Sequence, residues 1–226
     1  MTKNICVFAG SSSGRREVYA QAARRLGEVI AGKGYGLVYG GASIGLMNEA
    51  AEGALSQGGK VIGILPKWLD QWEVAHSGLT ELRIVASMHE RKAQMADLSD
   101  AFVVLPGGIG SLEECFEIWT WTQLGIHQKS IGLLNIENYY DRLQAFLDHT
   151  VEAQFLKSAH RNLLLSEADP ATLVDALLAQ DVPWERVTVW QVDERVAPDR
   201  HRDRNATQLA DFPCRVELMP VTANDL

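Results

Sequence analysis

The sequence predicts an α/β fold, a parallel sheet with helices on both faces, followed by a short C-terminal appendage containing β-strands. Two observations carry this. Short apolar runs bounded by glycine or proline alternate with longer stretches of helical apolar spacing, the signature of right-handed βαβ units. Loops rich in glycine or serine follow the first, second and fifth runs, and ligands of such sheets bind beyond the carboxyl ends of strands, at a switch in strand order. All three loops are expected to converge on one crevice.

Ile5 to Ala9 reads as the first strand, with Gly10-Ser11-Ser12-Ser13-Gly14 after it. Arg16 to Lys33 has helical spacing and stops near Gly34, a natural left-handed terminator. Gly36 to Tyr39 is the second strand, followed by Gly40-Gly41-Ala42-Ser43-Ile44-Gly45 and a helix to about Gln57. Lys60 to Leu65 is the third strand, stopped by Pro66, and residues 66–80 read as an irregular lid or pocket wall containing Glu73 and His76. His76 is expected on the surface. Glu81 to Val85 is the fourth strand, and a helix runs from Ser87 to about Leu98. Arg91 and Lys92 are adjacent on it, so they point to different sides and only one faces a pocket closely.

Ala101 to Leu105 is the fifth strand, running into Pro106-Gly107-Gly108-Ile109-Gly110. Bare glycine backbone lets a ligand approach closely, and a helix start offers unpaired N–H groups to a phosphate. Ser111 is expected to cap the next helix, with Glu114 completing a capping box. Trp119, Trp121 and Leu124 continue that helix as core or subunit interface. Ser130 to Leu134 is a strand, Tyr139 to Gln154 an amphipathic helix, Asn162 to Leu165 a short strand, and Pro170 to Ala179 a last helix capped by Asp169. No loop carries G-x-G-x-x-G or G-x-x-x-x-G-K-[ST], which disfavours NAD and ATP.

The 226 residues suffice for one sizeable domain, expected at 1–180, plus an appendage at 181–226. A net charge of -8 argues against a nucleic-acid partner. Cys6, Cys115 and Cys214 are odd in number and lack C-x-x-C spacing, so a reduced, cytoplasmic setting without a metal site is expected. The apolar run after Met1 is too short for a signal-peptide core, and no segment approaches a membrane span.

Four stretches taken together resemble one family: Val38-Tyr39-Gly40-Gly41-Ala42-Ser43-Ile44-Gly45-Leu46-Met47, Ser87-Met88-His89-Glu90-Arg91-Lys92-Ala93-Gln94-Met95, Leu105-Pro106-Gly107-Gly108-Ile109-Gly110-Ser111-Leu112-Glu113-Glu114, and Gln123-Leu124-Gly125-Ile126-His127-Gln128-Lys129. They are similar, in order and spacing, to the Lonely Guy (LOG) family of cytokinin riboside 5′-monophosphate phosphoribohydrolases, long mislabelled as lysine decarboxylases. The resemblance covers about Asn4 to Ala179. It implies a Rossmann-like homodimer, without cofactor, that hydrolyses the N-glycosidic bond of a nucleoside 5′-monophosphate such as AMP or isopentenyl-AMP. Arg91 and Glu114 would be the catalytic pair. Gly107, Gly108, Ile109, Gly110 and Ser111 would hold the phosphate, and Glu73, Lys92, Gly40, Gly41 and Ser11 would line the substrate. Ala42 replaces the family's usual third glycine, Asn48 stands where a glycine often follows the methionine, and Ser111 replaces the commoner threonine while keeping the hydroxyl.

Such a reaction builds oxocarbenium character on the sugar, which a nearby carboxylate stabilises while it orients or deprotonates water. A lysine decarboxylase needs a Schiff-base lysine in a pyridoxal phosphate site, and Lys92 has no such context. The tail from Trp184 to Leu226 resembles a fragment of 6-phosphogluconolactonase in Val192-Asp193-Glu194-Arg195, but lacks that family's histidine-bearing G-x-D-G-H segment. Two alternatives to a nucleotide N-glycosidase remain at this level: a non-catalytic carrier of a phosphorylated cofactor, and a sugar-phosphate lactonase working through the tail.

Overall fold

The computed structural model describes residues 2–69 and 75–180, and the expected appendage at 181–226 lies outside the described residues. The elements run β1 (Asn4–Phe8), α1 (Glu17–Gly32), β2 (Gly36–Tyr39), α2 (Gly45–Ser56), β3 (Val61–Pro66), β4 (Glu81–Val85), α3 (Met88–Asp97), β5 (Ala101–Val104), α4 (Ile109–Leu124), β6 (Ser130–Leu134), α5 (Asp141–Glu152), α6 (Ser158–Arg161), β7 (Leu164–Glu167) and α7 (Pro170–Ala179). The seven strands form one sheet in the order β4-β3-β2-β1-β5-β6-β7, every neighbouring pair parallel. The chain winds outward from β1 to β4, then crosses back so that β5 pairs with the other side of β1. The switch point therefore lies between β1 and β5, and it places the loops after those two strands side by side.

Side chains alternate across each strand, so the sheet carries a core on each face. Ile5, Val7, Leu37, Tyr39, Val103 and Leu105 meet α1, α2 and α7 on one face. Cys6, Phe8, Val38, Ile64, Phe102 and Val104 meet residues of α3, α4 and α5 on the other. Central strands buried on both faces need near-continuous apolar runs, which is what the sequence shows there. Helices α1 and α2 pack almost backbone to backbone. A Cβ on Gly27 would strike the Ala50 carbonyl, and one on Gly53 the Arg24 carbonyl.

Most element bounds lie within two residues of those read from the sequence. The helix expected from Tyr139 instead starts at Asp141, because Ile136–Asn138 form a 3-10 turn with Glu137 (φ 53°) and Asn138 (φ 59°) left-handed. The last strand is shifted to Leu164–Glu167, since the short helix α6 takes up the preceding residues. Ser87 caps α3 by accepting from the Glu90 N–H, and Asp169 caps α7 by accepting from the Thr172 N–H.

The close α1–α2 contact is testable. Gly53→Val should lower the urea midpoint, with a loss of about 1–3 kcal/mol from overpacking. Gly32→Ala, where a Cβ meets nothing within 4 Å, should leave stability equal or slightly raised.

Candidate active site

Three loops meet at the carboxyl end of the sheet around the switch point. A Cβ built on Gly10, after β1, would lie 3.9 Å from the Gly107 Cα after β5. Gly45, at the first position of α2, has φ +59° and abuts the Ser11 carbonyl, so no side chain fits there. Gly41 has φ +81°, and its carbonyl accepts from the His76 N–H at 3.0 Å. The sequence-predicted Ser11, Gly40, Gly41, Gly107 and Gly108 thus belong to one convergent set of loops.

Helix α4 begins earlier than expected. Gly108 is its N-cap and Ile109 its first residue, so Ser111 lies inside the first turn rather than capping it. The capping-box reading of Ser111 and Glu114 is thereby overturned: glycine occupies the cap, and among the described residues no side chain satisfies the helix start. The physical consequence favours a ligand. Gly108, Ile109 and Gly110 are exposed, Ser111 is buried, and among the described residues the first-turn N–H groups have no acceptor at the positive end of a helix of 16 residues. Gly110 and Glu114 are four residues apart, so they share one helix face.

Arg91 enters the same crevice from α3. Its guanidinium is buried, with Nε donating to the Ile64 carbonyl at 3.0 Å and Nη2 donating to the Gly40 carbonyl at 3.0 Å. A side chain on Gly40 would occupy the space of that guanidinium, which explains the glycine better than any turn requirement. Glu114 has only part of its surface open to solvent but is enclosed by protein. Burial pushes its carboxyl up to about 7, against the downward pull of the Arg91 charge; Glu113 pushes up, Lys92 pulls down, and Glu117 pushes up. Arg91 and Glu114 are therefore electrostatic neighbours, and the carboxyl changes charge near neutral pH.

Lys92 points the other way. Its Nζ donates to Glu113 Oε1 at 2.6 Å and lies 2.7 Å from Glu117 Oε2, two carboxylates one turn apart on α4. Burial works to lower its pKa, but those two partners outweigh burial and hold the ammonium above its usual value. A nucleophilic amine needs the opposite shift, so this lysine is unsuited to a Schiff base. The acidic pair at Glu113 and Glu117 was legible only as an i,i+4 spacing on one face. Glu73 lies outside the described residues.

His76 is not a surface residue as expected. It is 7% exposed, with Nε2 2.9 Å from Glu52 Oε1 and Nδ1 accepting from the Gly78 N–H. With the Ala42–Ala75 bridge, this pins residues 75–76 to the second glycine loop. The Ala42 methyl that replaces the third glycine is fully buried and accommodated.

The fold and crevice define a Rossmann-like α/β protein in which bare amides, a buried guanidinium and a carboxyl pushed up to about 7 gather at the strand ends. A family model described as "Possible lysine decarboxylase" matches residues 47–177. A probable cytokinin riboside 5′-monophosphate phosphoribohydrolase of Oryza sativa subsp. japonica is 51% identical over 175 residues, 77% of each chain. A cytokinin riboside 5′-monophosphate phosphoribohydrolase of Arabidopsis thaliana is 43% identical over 197 residues, 86% of each chain. The molybdenum cofactor binding protein of Rippkaea orientalis shares the fold, with a TM-score of 0.61 at 22% identity over 79% of this chain and 98% of its own. The chain belongs to the LOG family of phosphoribohydrolases, the family its motifs resemble.

The raised Glu114 carboxyl sets a pH-dependent cost. Its folded pKa of about 7 lies above the ordinary value of 4.5, so the folded state is favoured below pH 4.5 and loses that advantage as pH rises through 7. Glu114→Gln should therefore match the parent stability near pH 4 and exceed it at pH 8, by about 1–2 kcal/mol once partial solvent access is allowed for. Urea denaturation at the two pH values checks the sign.

Proposed function

We propose that this chain hydrolyses the N-glycosidic bond of cytokinin nucleoside 5′-monophosphates, releasing the free base and ribose 5-phosphate. The observation that carries the reading is the convergence, at one switch point, of the uncapped start of α4 with Glu114 in the second turn of the same helix and Arg91 beside it. The 5′-phosphate accepts N–H groups from Gly108, Ile109, Gly110 and Ser111. Anchored there, the ribose extends along the helix face that bears Gly110 and Glu114, so remote binding energy positions the reacting carbon. As the bond to the base breaks, the carboxylate of Glu114 stabilises positive charge on the sugar and orients the attacking water.

Arg91 holds a positive charge beside that carboxylate and keeps part of the Glu114 population ionised at neutral pH. Its two main-chain bonds hold it in place, a fixed cation rather than a moving clamp. Lys92, engaged by Glu113 and Glu117, supports this charge pattern from the far side of α3.

The active unit is a homodimer. Phe116 and Leu124 on α4, and Ile126 just beyond it, are exposed apolar residues that a second copy would cover. Light scattering should give twice the chain mass of 24.9 kDa, and a monomer at micromolar concentration would count against this. A reducing, cytoplasmic setting suits the free Cys6 and Cys115, and no described helix is long and apolar enough to cross a membrane.

Incubation with AMP and isopentenyl-AMP, followed by chromatography of the freed base and ribose 5-phosphate, tests the reaction. Glu114→Gln should fold normally and lose about a hundredfold or more in kcat. In the parent, kcat/KM should rise with pH up to about 7 and then level, following ionisation of Glu114. Normal turnover by Glu114→Gln would remove the carboxylate from the mechanism.

A further inference from the structure

The turn between β6 and α5 is built in a way that the sheet alone does not require. Glu137 and Asn138 are consecutive left-handed residues, a conformation that costs on the order of 1 kcal/mol per residue without glycine. Side chains hold the turn in that form: Asn135 Nδ2 donates to Asp141 Oδ1 at 2.8 Å, and Asn135 Oδ1 accepts from the Tyr140 N–H at 2.7 Å. What the turn presents are contacts to both loops that flank the switch point. Arg16, in the loop after β1, donates to Glu137 Oε2 at 2.8 Å. Tyr139 donates its hydroxyl to the Gly107 carbonyl at 2.8 Å, and Tyr140 donates to the Leu105 carbonyl at 2.6 Å. The Tyr139 ring is braced edge-on by Tyr19 from α1 and by Tyr140.

From this geometry we infer that Tyr139 is a positioning residue for phosphate recognition, acting through the Gly107 peptide. The C=O of Gly107 and the N–H of Gly108 belong to one planar trans peptide and point in opposite directions. With the carbonyl held toward Tyr139, the Gly108 N–H is aimed away from it, and among the described residues it has no acceptor. Gly107 has no side chain to resist rotation, because a Cβ there would collide with Ser111. A glycine that must be bare is free to flip its peptide, and the phenol hydroxyl removes that freedom. Tyr139 thereby keeps the anion-binding amide in place before substrate arrives, which lowers the ordering cost of binding.

This inference rests on the phosphate site assigned above, and the experiment separates the two. Tyr139→Phe keeps the ring and removes the hydroxyl, and thermal melting verifies that the fold is kept. Binding of ribose 5-phosphate, measured by calorimetry, should weaken about five-fold, the loss of one ordinary hydrogen bond. The inhibition constant of free adenine should stay unchanged. With isopentenyl-AMP, KM should rise by the same factor while kcat stays within about two-fold, since the reacting groups are untouched. Unchanged ribose 5-phosphate binding, or equal weakening of adenine and ribose 5-phosphate, overturns the role of Tyr139. If the parent binds ribose 5-phosphate but cleaves no monophosphate, the proposed reaction falls while the calorimetric comparison still decides on Tyr139. If the parent binds no ribose 5-phosphate, both fall.

Discussion

A buried guanidinium bonded to two main-chain carbonyls constrains much of this molecule. Arg91 leaves α3, crosses the end of the sheet and donates to the carbonyls of Ile64 and Gly40. A buried charge is tolerated only when its donors are satisfied, so the ends of β2 and β3 must stay where those carbonyls can be reached. The second glycine loop follows from this: Gly40 must be bare for the guanidinium to fit, and Gly41 turns left-handed to carry the chain away. The pairing of His76 with Glu52 and the Ala42–Ala75 bridge then fasten residues 75–76 onto that loop.

The same charge sets the electrostatics opposite. Burial raises the Glu114 carboxyl most; the neighbouring Arg91 and Lys92 charges oppose that rise, and the carboxyl is pushed up to about 7. Lys92 is spent on Glu113 and Glu117, so the two adjacent basic residues divide the work, one toward the strand ends and one toward α4. Groups poised between charge states at the end of a parallel sheet are where catalytic work is usually found.

The start of α4 is the complementary part. A helix whose N-cap is glycine gives up only a few tenths of a kcal/mol, roughly, relative to a serine or aspartate cap, and leaves its first amides without a side-chain acceptor. The amides so released are supported from outside, by the tyrosines of the β6–α5 turn. Strain at Glu137 and Asn138, the exposed helix start and the close contacts of Gly40, Gly45 and Gly107 are all local departures from the most stable choice, and all cluster around one crevice.

The order of strands and helices was legible in the sequence, because apolar runs of strand length alternating with helical spacing leave a parallel sheet little freedom. The glycine loops were legible too, and so was the pairing of motifs around Arg91 and Glu114, since residue type and spacing along the chain carry that information. Other features were not. The chain reads Ser111 as a cap because serine commonly caps helices, yet the true N-cap depends on where β5 releases the backbone and on Gly107 meeting Ser111. His76 became buried only because α2 brings Glu52 across 24 positions of sequence, and Tyr139 reaches Gly107 across 32. Local pattern determined which segments are strands, helices and bare loops; contacts between distant segments decided which side chains hold those loops, because such pairings arise only once the sheet has closed its order.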